Sequence, residues 1–235
     1  TGNTVKNYPG GGGTQTAAWV AGGETPGSPS QSAIHEQYDG SSWAEAADLN
    51  TGRYENSGAG TQAAGLIFFG LSGSSTVDSE EWDGSSWAEG NNTNVARRAA
   101  ASCGTQTAAL GISGSNYPNL PTNVESYDGS SWTEGTNVNT GGYYVAGNGT
   151  TTAALISGRV VFGSPDATNF DKTESWDGSS WTEGASLNTA RAYDLAAFGT
   201  STSAIHAGGN SGPANVANSE EWDGSSWTEV GDLST

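Results

Sequence analysis

The sequence predicts an all-β fold made of five copies of one four-stranded antiparallel unit arranged in a ring, and three observations carry that prediction. The stretch Asp-Gly-Ser-Ser-Trp occurs at residues 39–43, 83–87, 128–132, 177–181 and 223–227, with starting points 44, 45, 49 and 46 residues apart. A period near 46 residues is the mark of a repeat architecture in which each unit buries its faces against its neighbours. Around each copy lie short runs rich in Val, Ala, Ile and aromatic residues, separated by Gly-Thr and Gly-Gly steps, which read as strands and tight turns.

Each motif reads as a β-hairpin. Its central Gly-Ser suits a two-residue type II′ turn, which takes glycine first. That turn sets aromatic residues opposite one another: Tyr38 with Trp43, Trp82 with Trp87, Tyr127 with Trp132, Trp176 with Trp181 and Trp222 with Trp227. Such cross-strand pairs add to stability beyond their burial. The same register places Glu36 opposite Glu45, Glu80 opposite Glu89, Glu125 opposite Glu134, Glu174 opposite Glu183 and Glu220 opposite Glu229. Like charges so placed need either a shared Ca²⁺, since hard cations collect carboxylate oxygens, or hydrogen-bond donors from neighbouring strands. Recurrence in every unit favours the second reading. The Asp of each turn is expected to bond its own backbone.

Two further strands precede each hairpin. The first, rich in small residues, is expected at 5–12, 54–59, 98–103, 143–148 and 193–198, before a Gly-Thr step. The second follows at once and runs into glycine at 16–23, 63–70, 107–114, 152–158 and 202–209. A linker with Leu49-Asn50-Thr51 or its variants then leads to the next unit. The predicted organisation is one domain, 1–235, with units at about 1–48, 49–92, 93–137, 138–186 and 187–235. Each unit is complete in itself, so the last is expected to pack face to face on the first, with no strand borrowed from the other terminus. A start at Thr1 without Met points to a processed or excised chain.

Composition narrows the function classes. Twenty-five acidic residues against seven basic ones give a formal charge of −18, so nothing could neutralise a run of phosphates, and nucleic acid is disfavoured as a partner. An anionic membrane surface would repel the chain, and no apolar run is long enough to span a bilayer. Cys103, the single cysteine, reads as a small core residue. His35 and His206 lie in different units without metal-ligand spacing, so no metal site is assigned to them.

The Gly doublets Gly22-Gly23 and Gly208-Gly209, the Glu-x-aromatic-Asp step, the Trp that follows and the linker arginines Arg53, Arg97 and Arg191 together resemble the kelch repeat over nearly the whole chain. The resemblance implies a β-propeller with one four-stranded blade per repeat, here five, fewer than the family's usual six or seven. The near-verbatim DGSSWTE, LNTAR and GTQTAAL elements also resemble kelch-like repeat proteins of marine bacteriophages. That resemblance implies a virion structural or tail-fibre component, located in the virion or outside the cell. Galactose oxidase shares the kelch propeller, but its copper chemistry needs a Cys cross-linked to Tyr and gathered His ligands, which Cys103 and two dispersed histidines match poorly.

Function is expected where the copies differ. The loops between second and third strands vary most: 24–32, 71–76, 115–123, 159–172 and 210–217. Loops on a rigid scaffold are where binding residues gather. Tyr117, Phe162 and Phe170 are candidates for stacking on a sugar or packing on a partner, with Asn116, Asn119, Asp166 and Asn169 as hydrogen-bonding neighbours. The expected function is a non-enzymatic binding or adhesion module that displays these loops to a host surface glycan or protein. The alternative is a structural part that contacts other virion proteins. No cofactor is expected, with Ca²⁺ the one ion the carboxylates invite.

Overall fold

In the computed structural model, which describes residues 5–27, 30–161, 170–212 and 214–234, the chain is a five-bladed β-propeller of four-stranded antiparallel blades. Blade one comprises Gly10–Thr14, Ala17–Ala21, His35–Tyr38 and Trp43–Ala46, and blade two Ser57–Gly60, Gly65–Phe68, Ser79–Trp82 and Trp87–Glu89. Blade three comprises Ala101–Thr105, Ala108–Ile112, Val124–Tyr127 and Trp132–Glu134. Blade four comprises Ala146–Thr150, Ala153–Ser157, Thr173–Trp176 and Trp181–Glu183, and blade five Ala196–Thr200, Ser203–Ala207, Ser219–Trp222 and Trp227–Val230. Each sheet is built from strands in sequence order, and a small extra hairpin pairs Leu71–Ser72 with Ser74–Ser75.

The hairpin register follows the turn. Asp39 N–H donates to Ser42 O at 3.1 Å, Gly40 takes a φ of 95°, and Tyr38 lies opposite Trp43 with ring centroids 5.3 Å apart. The Tyr127–Trp132 pair stacks at 4.9 Å. The Asp39 carboxylate accepts from the amides of Ser41 and Ser42, both at 2.8 Å. Those serines, the Ser42 amide foremost, hold its pKa down at about 2, and Asp83, Asp128, Asp177 and Asp223 repeat the arrangement.

The first strands begin three residues later than the sequence suggests in blades two to five, and five later in blade one, and the cause is conformational. Tyr8, Glu55, Ala99, Tyr144 and Tyr193 occupy one repeat position, and all have φ between 44° and 54°. A left-handed residue breaks the extended run, so the strand starts beyond it and takes in the Gly-Thr step. The second strand is closed in the same way at Gly22, Phe69, Ser113, Gly158 and Gly208, all at positive φ. Two of these five are not glycine, so blades two and three lack the Gly doublet of blades one and five.

The chain divides into two compact units, 1–99 with 104–109 and 125–134, and 100–103 with 110–124 and 135–235. In the first unit Trp19, Ala21, Leu49, Ile67, Trp82 and Trp87 form a buried cluster. In the second, one cluster gathers Cys103, Leu110, Ile112, Val138, Ile156 and Trp181, and another Leu155, Leu187, Ala204, Trp222 and Trp227. Burial of Cys103 pushes its thiol up to about 12, so it is a core residue and not a reactive one.

The facing glutamates divide by depth. Glu36, Glu80, Glu125, Glu174 and Glu220 are buried, while their partners Glu45, Glu89, Glu134, Glu183 and Glu229 are exposed. Each buried carboxylate is held by the preceding linker. Glu80 accepts from the amides of Asn50 (2.7 Å) and Thr51 (3.2 Å), from Asn50 Nδ2 (3.1 Å) and from the Arg53 guanidinium (2.7 Å). Arg97 meets Glu125, Arg191 meets Glu220 and Lys6 meets Glu36 in the same place. The expected donors are therefore joined by a cation from the chain itself, which the spacing of repeats did not disclose.

Blade four solves the problem differently. Its linker carries Gly142 where the others carry Arg or Lys, and Arg159, in the Gly position after the second strand, supplies the guanidinium to Glu174 at 2.7 Å. The two remaining cations also face carboxylates, Arg98 with Glu55 at 3.4 Å and Lys172 with Glu183 at 3.3 Å. All seven basic side chains are thus paired, and the surplus charge on the surface is negative.

Candidate binding site

The second unit gathers four aromatic side chains from three stretches of chain. Tyr143 and Tyr144 follow the blade-four linker, and Tyr193 follows the blade-five linker. Tyr144 and Tyr193 stand 4.8 Å apart between centroids, Tyr143 packs 5.0 Å from Tyr144, and Phe170 meets Tyr193 edge-on at 6.0 Å. All four are half-buried. Two of them occupy the left-handed position that in blades two and three carries Glu55 and Ala99, so the backbone presents Tyr144 and Tyr193 in like fashion from adjacent repeats. Next to Tyr193 is Asp194, an insertion relative to the other linkers, whose carboxyl is raised from the ordinary range by burial. Half-buried aromatic faces make a surface suited to a polyhydroxylated ring, which stacks its C–H side on them.

Among the residues singled out from sequence, Phe170 belongs to this group. Tyr117 does not: it stands 69% exposed at the tip of the blade-three loop, its amide donating to Ser115 Oγ at 3.2 Å. Asn116 and Asn119 close that loop through a bridge, Asn116 N–H donating to Asn119 O at 3.2 Å, and the Asn116 side-chain oxygen is buried without a hydrogen-bond partner. They shape the loop that lifts Tyr117. Phe162, Asp166 and Asn169 lie outside the described residues. Tyr143, Tyr144 and Tyr193 were missed because they fall in what reads as a first strand. The available signal was their identity: blades two and three carry Glu55 and Ala99 where Tyr144 and Tyr193 stand, so the repeat does not require an aromatic there.

The histidines are structural. His206 lies between Ser157 Oγ and Asn148 Oδ1, with its ring 4.7 Å from Trp227, and burial lowers its pKa to about 3. His35 accepts from Trp87 Nε1 at 3.1 Å and packs 4.5 Å from Trp82, with its pKa lowered to about 4, mainly by burial. Neither stands beside a second metal-ligating side chain in a cluster, and among the described residues no group of three or more His, Cys, Asp or Glu gathers in the manner of a metal site.

With the blades and this surface in place, one solved structure bears comparison. The chain is similar in fold to YjhT. Its structure superposes with a TM-score of 0.79 over 96% of this chain and 84% of that chain, at 13% identity. At that identity the likeness speaks for the propeller alone. No protein-family model matches the sequence, and no curated protein matches it.

Proposed function

We propose that the chain is a non-enzymatic binding module, a kelch-like propeller of a phage particle's tail-fibre or receptor-recognition apparatus, that engages a host surface glycan or glycoprotein. The observation that carries this reading is the Tyr144–Tyr193 pair, 4.8 Å apart, with Phe170 edge-on to Tyr193 and Asp194 next in the chain. These residues are half-buried or exposed, blades two and three carry Glu55 and Ala99 in place of the tyrosines, and the linkers that lead to Tyr144 and Tyr193 are fixed by buried ion pairs. A rigid platform with aromatic anchors loses little conformational entropy on binding. The acidic surface, with every cation already paired, suits a particle component that must stay apart from nucleic acid and anionic lipid. Weak contacts become useful when many copies are displayed together. The test is a glycan array probed with the purified chain on beads: capture by a defined surface glycan supports the reading, and failure of folded, multivalent protein to bind any removes it.

A second reading, a structural part whose faces meet other virion subunits, is favoured by one observation: Phe198, Ile205 and Leu233 are exposed on blade five.

A further inference from the structure

Aromatic residues in the variable loops come from two blades only. Of the loops between second and third strands, those at 24–32, 71–76 and 210–217 carry none, whereas the blade-three loop carries Tyr117 and the blade-four loop ends near Phe170. Phe170 meets Tyr193. Tyr117 is 69% exposed, so its ring gains the fold little by burial.

The Tyr117 loop and the tyrosine corner belong to the same compact unit, and their bases are joined. Gly114 N–H donates to Gly142 O at 2.8 Å, and Gly142 N–H donates to Ser113 Oγ at 2.8 Å. The returning arm of the loop lies against Gly141 so closely that a Cβ there would meet Leu120 O at 2.2 Å. Directly after Gly142 come Tyr143 and Tyr144, and shortly after Gly114 comes Tyr117. At no more than about 3.6 Å per residue, these tethers keep the Tyr117 backbone within about 20 Å of Tyr143. The tip itself is held: Ser115 is fully buried, its Oγ accepts from the Tyr117 amide at 3.2 Å, and Asn116 N–H donates to Asn119 O at 3.2 Å. An aromatic ring presented on a tight loop loses little conformational entropy when a ligand docks on it.

Charge narrows what that ligand is. The basic side chains of this unit are Arg159, Lys172 and Arg191. Both guanidiniums are buried against Glu174 and Glu220, and Lys172 is paired with Glu183 at 3.3 Å. The residues that follow the aromatics in the chain, Asp171 after Phe170 and Asp194 after Tyr193, are acidic. Among the described residues of this unit, a sugar carrying a carboxylate or a sulfate therefore finds every cation already paired, and it meets the field of a chain at −18. An uncharged sugar needs no cation, since its C–H face stacks on an aromatic ring.

We propose that the ligand of this surface is an uncharged oligosaccharide of several linked units, with one unit stacked on the Tyr144–Tyr193 pair and a later one on Tyr117. The inference rests on the glycan-binding reading and narrows it in charge and in length. A single sugar ring occupies the corner alone, whereas a chain that reaches the loop tip occupies both places.

An array carrying neutral, uronic, sialylated and sulfated glycans of one to about six units, probed with the multivalent chain, tests this, followed by calorimetric titration of the best neutral series. Neutral glycans are expected to be captured, with affinity rising about tenfold or more from the disaccharide to the longest member. That affinity should be unchanged between about 0.1 M and about 1 M NaCl. Tyr117→Ala should erase the gain with length and leave disaccharide affinity as it was, and Tyr117→Phe should keep the gain. Capture confined to charged glycans overturns the inference. So does affinity that does not grow with length, or a Tyr117→Ala variant that binds every length as wild type does or loses equally at all of them. Each of these leaves the glycan reading standing, whereas folded protein that captures no glycan removes both.

Discussion

The side chain of Arg159 fills the space above Gly142: a Cβ placed on Gly142 would lie 2.8 Å from Arg159 Cβ and 3.1 Å from its Cγ and Cδ. In blades two, three and five the arginine is in the linker and a glycine follows the second strand. In blade four the two have changed places, and the guanidinium still reaches the buried Glu174. The requirement is thus a cation at a point in space, and two different positions in the chain can meet it.

Arg159→Gly alone should be severely destabilising, by about 3–5 kcal/mol, because it leaves a buried carboxylate without its partner. Gly142→Arg alone should also destabilise, since it collides with Arg159 and buries a second guanidinium. The double variant restores the arrangement of the other blades and should recover most of the loss. Urea unfolding of the four proteins closes the cycle, and the expected interaction energy is large and of the opposite sign to the single effects.

The two members of a facing glutamate pair should respond differently to neutralisation. Glu80→Gln weakens bonds to Arg53 and the Asn50 and Thr51 amides in a buried site, at an expected cost of about 3 kcal/mol. Glu89→Gln removes an exposed like charge opposite Glu80; the Glu89 carboxyl is raised by partial burial and by Glu80. The expected change there is within about 0.5 kcal/mol and stabilising in sign. Chemical denaturation of both variants distinguishes them.

Stability should fall as pH is lowered below about 6.5. His35 and His206 have folded pKa values near 4 and 3, beneath the ordinary value of 6.5. The unfolded chain therefore takes up two protons that the folded chain refuses, and the folded state loses ground from pH 6.5 down to those lower values. By pH 4.5 the loss should be about 2 kcal/mol for each histidine. The turn aspartates, held near 2, add a separate loss between about pH 4 and 2. Thermal unfolding against pH should show the upper slope, and a His35→Gln, His206→Gln variant should flatten it.

Salt should stabilise the protein. With a formal charge of −18 and every cation paired, the unbalanced carboxylates repel at long range and are screened over about 10 Å at 0.1 M. Raising NaCl from low millimolar to 1 M should lift Tm by a few degrees, about the effect of 1 kcal/mol. A fall in Tm would mean that the surface pairs Arg98–Glu55 and Lys172–Glu183 outweigh the repulsion.

The hairpins were legible in the sequence because turn chemistry and side-chain alternation act over a few residues: Asp39, Gly40 and the Tyr38–Trp43 pair state their own register. The variable loops led to Phe170 by the same local reasoning. The buried ion pairs were not legible, because Arg53 and Glu80 are 27 residues apart and only the packing of a linker against a third strand joins them. Arg159 was harder still, since it looks like the first residue of a loop. The Tyr144–Tyr193 pair was hidden by the left-handed backbone, which turns what reads as strand into a presenting corner.

The proposed function rests on that corner, and binding of the multivalent chain to arrayed glycans, compared with a Tyr144→Ala, Tyr193→Ala variant, tests it most directly. Alanine is compatible with the backbone there, since Ala99 holds the equivalent position at a φ of 49°, so the variant should fold with an unchanged circular dichroism spectrum. The account predicts that wild type binds a defined surface glycan and that the variant loses at least tenfold in apparent affinity. Equal binding by the two proteins would contradict it and move the site away from the tyrosines.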